Sequence, residues 1–181
     1  MTGATRGPEV EANLNPRPGF DVTLLMHQQV RFAWNAKKAQ GTFSVQEGNG
    51  KILYEKKVDK QDSLTLLPEV IGIKPGRHYI WTVDGGKHLY EFNVLDHKTE
   101  TKLLEAFAKI DGESIPQDEK LLKKAKYAQL LSDTFPDAID LYWLSAQWLL
   151  GINNPPKNID DEKWILLKKC VRHLDKEMGE T

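Results

Sequence analysis

The sequence predicts a segregated α+β chain: an antiparallel β-sandwich over residues 20–96, then a helical domain of three to four helices over 97–181. Three observations predict it. Up to Leu95 bulky residues recur at every second position, and after Asp96 they recur at every third and fourth. The stretch 73–94 also folds on paper into one hairpin: with Gly85-Gly86 as its turn, Trp81 faces Tyr90 and Tyr79 faces Phe92. Glycine enters the positive-φ conformations of such turns without steric cost, and each aromatic cross-strand pair contributes about 0.2–1 kcal/mol.

Residues 1–19 hold Pro8, Pro16 and Pro18, three glycines and few large apolar groups, which suits a flexible lead-in. Val30, Phe32 and Trp34 then alternate with Arg31 and Ala33, and Phe43 and Val45 alternate with Thr42, Ser44 and Gln46. Further strands are expected at 51–58, 63–67 and 71–73. At the turn near Asn49, a Gly48-Asn49 turn pairs Phe43 with Tyr54 and Val45 with Ile52, keeping apolar groups on one face. The Asn49-Gly50 alternative pairs Phe43 with Lys56, and a bulge would reconcile the two.

A first helix is expected over 99–110 with Leu103, Leu104, Phe107 and Ala108 on one side, stopped by Asp111-Gly112. A second over 117–131 carries Leu121, Leu122, Ala125, Ala128 and Leu131. A third opens at Pro136 and Asp137, residue types favoured in a first helical turn, and closes near Gly151. After the break at Pro155-Pro156, a fourth begins near Asp160 and uses Trp164, Leu167, Val171 and Leu174.

Charged residues make up 28% of the 181-residue chain but cancel to −1, so no global field draws nucleic acid. The single cysteine, Cys170, forms no internal disulfide and has no partner at zinc spacing. No apolar run is long enough to span a membrane, and the polar start has no signal-peptide centre. A trimmed upstream signal or anchor would place the domain in a bacterial periplasm or envelope, the location favoured here over the cytoplasm.

Val30-Arg-Phe-Ala-Trp34 resembles the strand carrying the core tryptophan of the fibronectin type III and immunoglobulin-like sandwich superfamily. Ile73-Lys-Pro-Gly-Arg-His-Tyr79 is similar to its Leu-x-Pro-Gly-x-x-Tyr corner, and Trp81 fits the Tyr-x-Trp-x-Val pattern of bacterial variants. The resemblance covers residues 20–95 and implies a fold, not a function. More weakly, 122–131 followed by 135–143 is similar to one tetratricopeptide unit, with Ala138 and Tyr142 as packing residues. One unit does not make a solenoid, so a small bundle or packing on the sandwich is expected.

No catalytic, cofactor or metal motif stands out. His27, His78, His88, His97 and His173 form none of the helical or paired spacings that bind zinc. Cys170 sits near a helical apolar stripe, and Asp160-Asp161 and Asp137 with Asp140 suit helix starts. The lysine clusters, such as Lys37-Lys38 and Lys168-Lys169, suit solvated faces. The segment 136–150 is apolar on two sides: Ile139, Tyr142, Trp143, Ala146 and Leu150 on one, Leu141, Leu144 and Trp148 on the other. Either it is the central helix of the helical domain, or Trp143 and Trp148, with Leu141 and Leu144, form a partner-binding patch. The resulting expectation is a non-enzymatic interaction or scaffolding module with a protein partner and no cofactor. Its rival is an enzyme, or a small-ligand or carbohydrate receptor, whose site assembles at the sandwich–helix junction around His78, His97, Arg77, Asp96 and Glu91.

Overall fold

In the computed structural model, which describes residues 22–34 and 40–178, the chain is a mixed α+β fold with its strands mostly N-terminal. The lead-in at 1–19 and Lys37-Lys38 lie outside the described residues. The strands are β1 (Val22–Leu24), β2 (Val30–Ala33), β3 (Gln40–Glu47), β4 (Ile52–Asp59), β5 (Ser63–Leu66), β6 (His78–Thr82) and β7 (Tyr90–Val94). A one-turn helix α1 (Pro68–Ile71) precedes β6, and α2 (His97–Asp111), α3 (Gln117–Thr134), α4 (Tyr142–Leu150) and α5 (Lys157–Met178) follow the strands.

Five strands bond in the order β1-β7-β6-β3-β4, and β2 pairs with β5. All pairings are antiparallel except β1 with β7, where Val22 lies opposite Phe92 and Leu24 opposite Val94. The purely antiparallel expectation is corrected at that edge. Nearly the whole N-terminal half separates the two strands, ample chain for the crossover that a parallel pair requires.

The β6–β7 hairpin has the expected register, with Tyr79 opposite Phe92 and Trp81 opposite Tyr90. Its tip is looser than a two-residue turn, because the β6–β7 ladder stops at Trp81 opposite Tyr90. Side chains close it instead: the Gly86 N–H donates to Thr82 Oγ1 at 3.2 Å and the His88 N–H to Asp84 Oδ1 at 3.0 Å. Between β3 and β4 the favoured register is overturned, since Phe43 pairs with Lys56 and Val45 with Tyr54. A bulge shifts Gln46 onto Ile52, and the Gly50 N–H donates to Glu47 O at 2.8 Å with Gly50 at φ 86°. That combination is a three-residue loop ending on a left-handed glycine, which the pairing of apolar residues alone does not reveal. The strand expected at 71–73 is also replaced. Pro68 opens a helical turn and Gly72, at φ 82°, ends it, while Ile71 and Ile73 stay buried.

The core joins both sheets. The Phe32 ring on β2 lies 5.0 Å from Phe43, 5.4 Å from Trp81 and 6.0 Å from Phe92. The same apolar cluster continues through Leu103, Phe107, Ala128, Leu141, Trp143 and Leu144, so sheets and helices share it. A second cluster lies among the helices alone, with Leu122, Ala125, Tyr142, Ala146, Leu149, Leu167 and Cys170. Helix α4 stands between the two and is covered on both sides.

Helices α2 and α3 start close to the expected positions, though Ala108 is exposed. Helix α4 begins later than expected. Residues 136–138 form a turn in which the Ala138 and Ile139 N–H groups both donate to Phe135 O, and Asp140 then holds the Tyr142 N–H at 3.1 Å. Helix α5 starts before Asp160, just after the proline pair, and Ile159, Leu167 and Cys170 supply its buried positions among the described residues, with Trp164 and Val171 half-buried. The Leu174 side chain lies outside the described part.

Candidate functional site

Short β1 and the loop after it tie the sheets to the helices. Thr23 does so through three bonds: its N–H donates to Asp140 O at 3.1 Å, its hydroxyl accepts the Asp140 N–H at 3.1 Å, and its carbonyl accepts Trp143 Nε1–H at 2.7 Å. Glu100, 1% exposed on α2, accepts the Met26 N–H at 2.7 Å and lies 2.9 Å from His27 Nδ1. Backbone groups leaving the sheet edge thus meet partners supplied by helices, as buried polar groups require.

Beside this seam a cleft of about 720 Å³ opens between the β6 and β7 ends, the start of α2 and the C-terminal half of α3. Its floor is apolar, with Val94, Leu103, Leu131 and Leu141, and its rim carries Arg77, Lys102, Phe135 and Asp137. Several polar groups in it are already engaged. Asp96 accepts the Thr99 N–H at 3.0 Å and the Thr99 hydroxyl at 2.5 Å, capping α2. Those bonds, the hydroxyl's first, hold the Asp96 carboxyl below its ordinary range. His78 Nε2 lies 3.1 Å from Glu91 Oε2. By contrast, the side chains of Arg77, Lys102, Asn93, Tyr127 and Asp137 have no hydrogen-bonding partner or ion pair among the described residues.

A second cavity of about 500 Å³ adjoins the first, with Thr23, Asn93, Asp137, Ala138 and Ile139 lining both. On its far side the Tyr142 hydroxyl and Lys169 both donate to Asp133, while His173 Nε2 lies 3.0 Å from Asp140 and its ring stacks on Tyr142 at 4.0 Å. Burial alone would raise Asp133, but the donors from Lys169 and Tyr142 outweigh it and hold the carboxyl below its usual range. The Tyr142 phenol is pushed up to about 12, first by burial and then by its bond to Asp133. A phenol held that tightly in its protonated form is a structural donor rather than a base.

The sequence-predicted residues divide clearly. Leu141, Trp143 and Leu144 are 0%, 5% and 0% exposed, so the expected exposed patch is corrected: the shared core takes all three, and of them Leu141 alone also underlies the cleft floor. Trp148 is half-buried, edge-on to Phe107 at 4.8 Å with Lys124 Nζ 5.9 Å from its ring. Of the junction set, Arg77, His78 and Asp96 line the cleft; the Glu91 carboxylate meets His78, and neither Glu91 nor His97 is part of the lining. Lys102, Tyr127, Phe135 and Asp137 were not singled out as a site by sequence, because they come from three separate segments. Cys170 is a buried packing group, its thiol pushed up to about 11 by burial.

Among the described residues, no three His, Cys, Asp or Glu side chains are grouped to hold a metal ion, and no helix is long and apolar enough to cross a membrane. No family model matches the sequence, and no curated protein is significantly similar to it.

Proposed function

We propose that this chain is a binding module: an immunoglobulin-like β-sandwich of the fibronectin type III kind over residues 20–96, joined to a helical bundle, whose junction cleft receives a segment of a protein partner. The sandwich reading is supported by the contact of Phe32 with three rings of the other sheet. It is also supported by the Tyr79 hydroxyl, which accepts the Lys74 N–H at 2.7 Å as the tyrosine corner of that superfamily does.

The observation that carries the function is the cleft itself. Its volume falls in the range of pockets that enclose ligands, about 300–1,000 Å³, and it combines an apolar floor with unengaged polar groups on its rim. Of the carboxylates at the junction, Asp96, Glu100, Asp133 and Asp140 are spent on the backbone and on lysine, tyrosine and histidine side chains, which leaves Asp137 without a second acid or base beside it among the described residues and favours binding over bond-making.

Photo-crosslinking tests this reading. With p-benzoylphenylalanine in place of exposed Phe135 at the cleft, a discrete protein adduct is expected in an extract of the source cells; in place of Leu89 at the hairpin tip, none is. Equal labelling from both positions, or from neither, overturns the proposal.

A further inference from the structure

The unengaged groups of the cleft differ in sign and number, and this specifies what fits. Arg77 and Lys102 bring two exposed cations, and Asn93 and Tyr127 add an amide and a phenol that donate to nothing among the described residues. Opposing these donors is one unengaged carboxylate, Asp137, on the wall shared with the second cavity. Asp96 keeps its negative charge, but both of its oxygens already accept from Thr99 at the positive end of α2, which compensates that charge in part.

Resting on the binding-module reading, we infer that the occupant is an acidic peptide segment of a partner. One Asp or Glu carboxylate meets Arg77 and Lys102, and a neighbouring bulky apolar residue lies on the floor beside Leu103 and Leu131. Guanidinium and ammonium donors left unpaired over an apolar surface complement a carboxylate more strongly than any neutral group. The cleft is open along its rim at exposed Phe135 and shares a wall with a second chamber, which suits an extended chain lying across the rim rather than a compact molecule sealed in one cavity. Asp137 sets direction: a second acid placed at the shared wall meets like charge, whereas a lysine or arginine there is favoured.

Selection of phage-displayed random dodecapeptides on the full chain tests this, with hydrogen exchange to locate the bound peptides. Enriched peptides are expected to carry an acid beside a bulky apolar residue and to slow exchange at 76–78 and 135–139. They should bind the Arg77→Glu, Lys102→Glu double variant at least about tenfold more weakly, with its melting temperature unchanged. Peptides that protect the cleft but lack an acid and ignore the double variant overturn the carboxylate inference while leaving the binding module standing. Dodecanoate binding there more tightly than every selected peptide replaces the peptide with a small amphiphile and overturns it as well. No enriched peptide, or protection elsewhere on the surface, overturns both readings.

Discussion

The two cores of this molecule differ in what they enclose. Between the sheets, Phe32, Phe43, Trp81 and Phe92 meet ring against ring, whereas the helical core, apolar through Leu122, Leu149 and Leu167, buries the hydrogen-bonded trio Gln129, Ser145 and Cys170 beside it. A purely apolar contact responds to lost volume. A buried polar trio responds to lost partners, and the cost depends on which partner is taken away. The difference teaches where stability resides and where the relative placement of helices is fixed.

The largest effect is expected at the ring cluster. Phe32 is 0% exposed and touches three rings, so Phe32→Ala should cost about 3–5 kcal/mol in denaturant unfolding, through lost transfer energy and a residual cavity. A loss below about 1 kcal/mol would show that the sheets do not depend on that contact.

The helical side should give way first in alkali. Tyr142, held at about 12 against its ordinary value of 10.0, binds its proton more tightly when folded. Its contribution is complete below pH 10 and is lost as the pH rises towards 12, on the order of 2–3 kcal/mol for a shift of that size. Cys170, raised from 9.0 to about 11 by burial, adds a loss beginning lower, between about pH 9 and 11. Stability measured against pH should therefore fall above 9, and Tyr142→Phe should flatten the upper part of the fall while leaving the lower part to Cys170. An unchanged profile in that variant would remove Tyr142 from the account.

A smaller loss is expected at the corner entering β6. Tyr79→Phe keeps the ring against Phe92 but leaves the Lys74 N–H without its 2.7 Å acceptor, for about 1–2 kcal/mol. Thermal unfolding of this variant beside Phe32→Ala separates the hydroxyl's contribution from that of packing.

These regions also differ in how far the sequence reveals them. The Tyr79–Phe92 and Trp81–Tyr90 pairs are legible because alternation and a glycine turn fix one register. The β3–β4 register is not, because the bulge at Val45/Gln46 moves the pairing by one residue and the apolar pattern does not encode it. Pro136 and Asp137 carry helix-start chemistry, yet they close a single turn around Phe135 O, and α4 waits for Asp140. In the cleft, Arg77, His78 and Asp96 are legible as neighbours of the strand ends. Lys102, Tyr127 and Phe135 reach it only because α2 and α3 join the apolar cluster of the sheets through Leu103, Phe107 and Ala128, a direction that helical periodicity leaves unspecified.

The smallest effect should fall at Gln129, and it sharpens the contrast most. Its two Nε2 hydrogens are shared among Ser145 Oγ at 3.0 Å, Leu166 O at 3.2 Å and Cys170 Sγ at 3.2 Å, while its Oε1, buried, has no partner among the described residues. Gln129→Met removes donors and orphan acceptor together. The orphan's desolvation cost then offsets the lost bonds, and stability should change by less than about 1 kcal/mol. Ser145→Ala instead takes away the closest acceptor of the amide and the oxygen that the Cys170 thiol faces at 3.8 Å, leaving Leu166 O and Cys170 Sγ for the two amide hydrogens, and should cost about 0.5–1.5 kcal/mol, the net value of one hydrogen bond. If the methionine variant proves the less stable of the two, Oε1 is satisfied in solution and the helical core holds its helices by strength of bonding. If it is the more stable, as expected, the amide serves to place α3 against α4 and α5, at little net gain in stability.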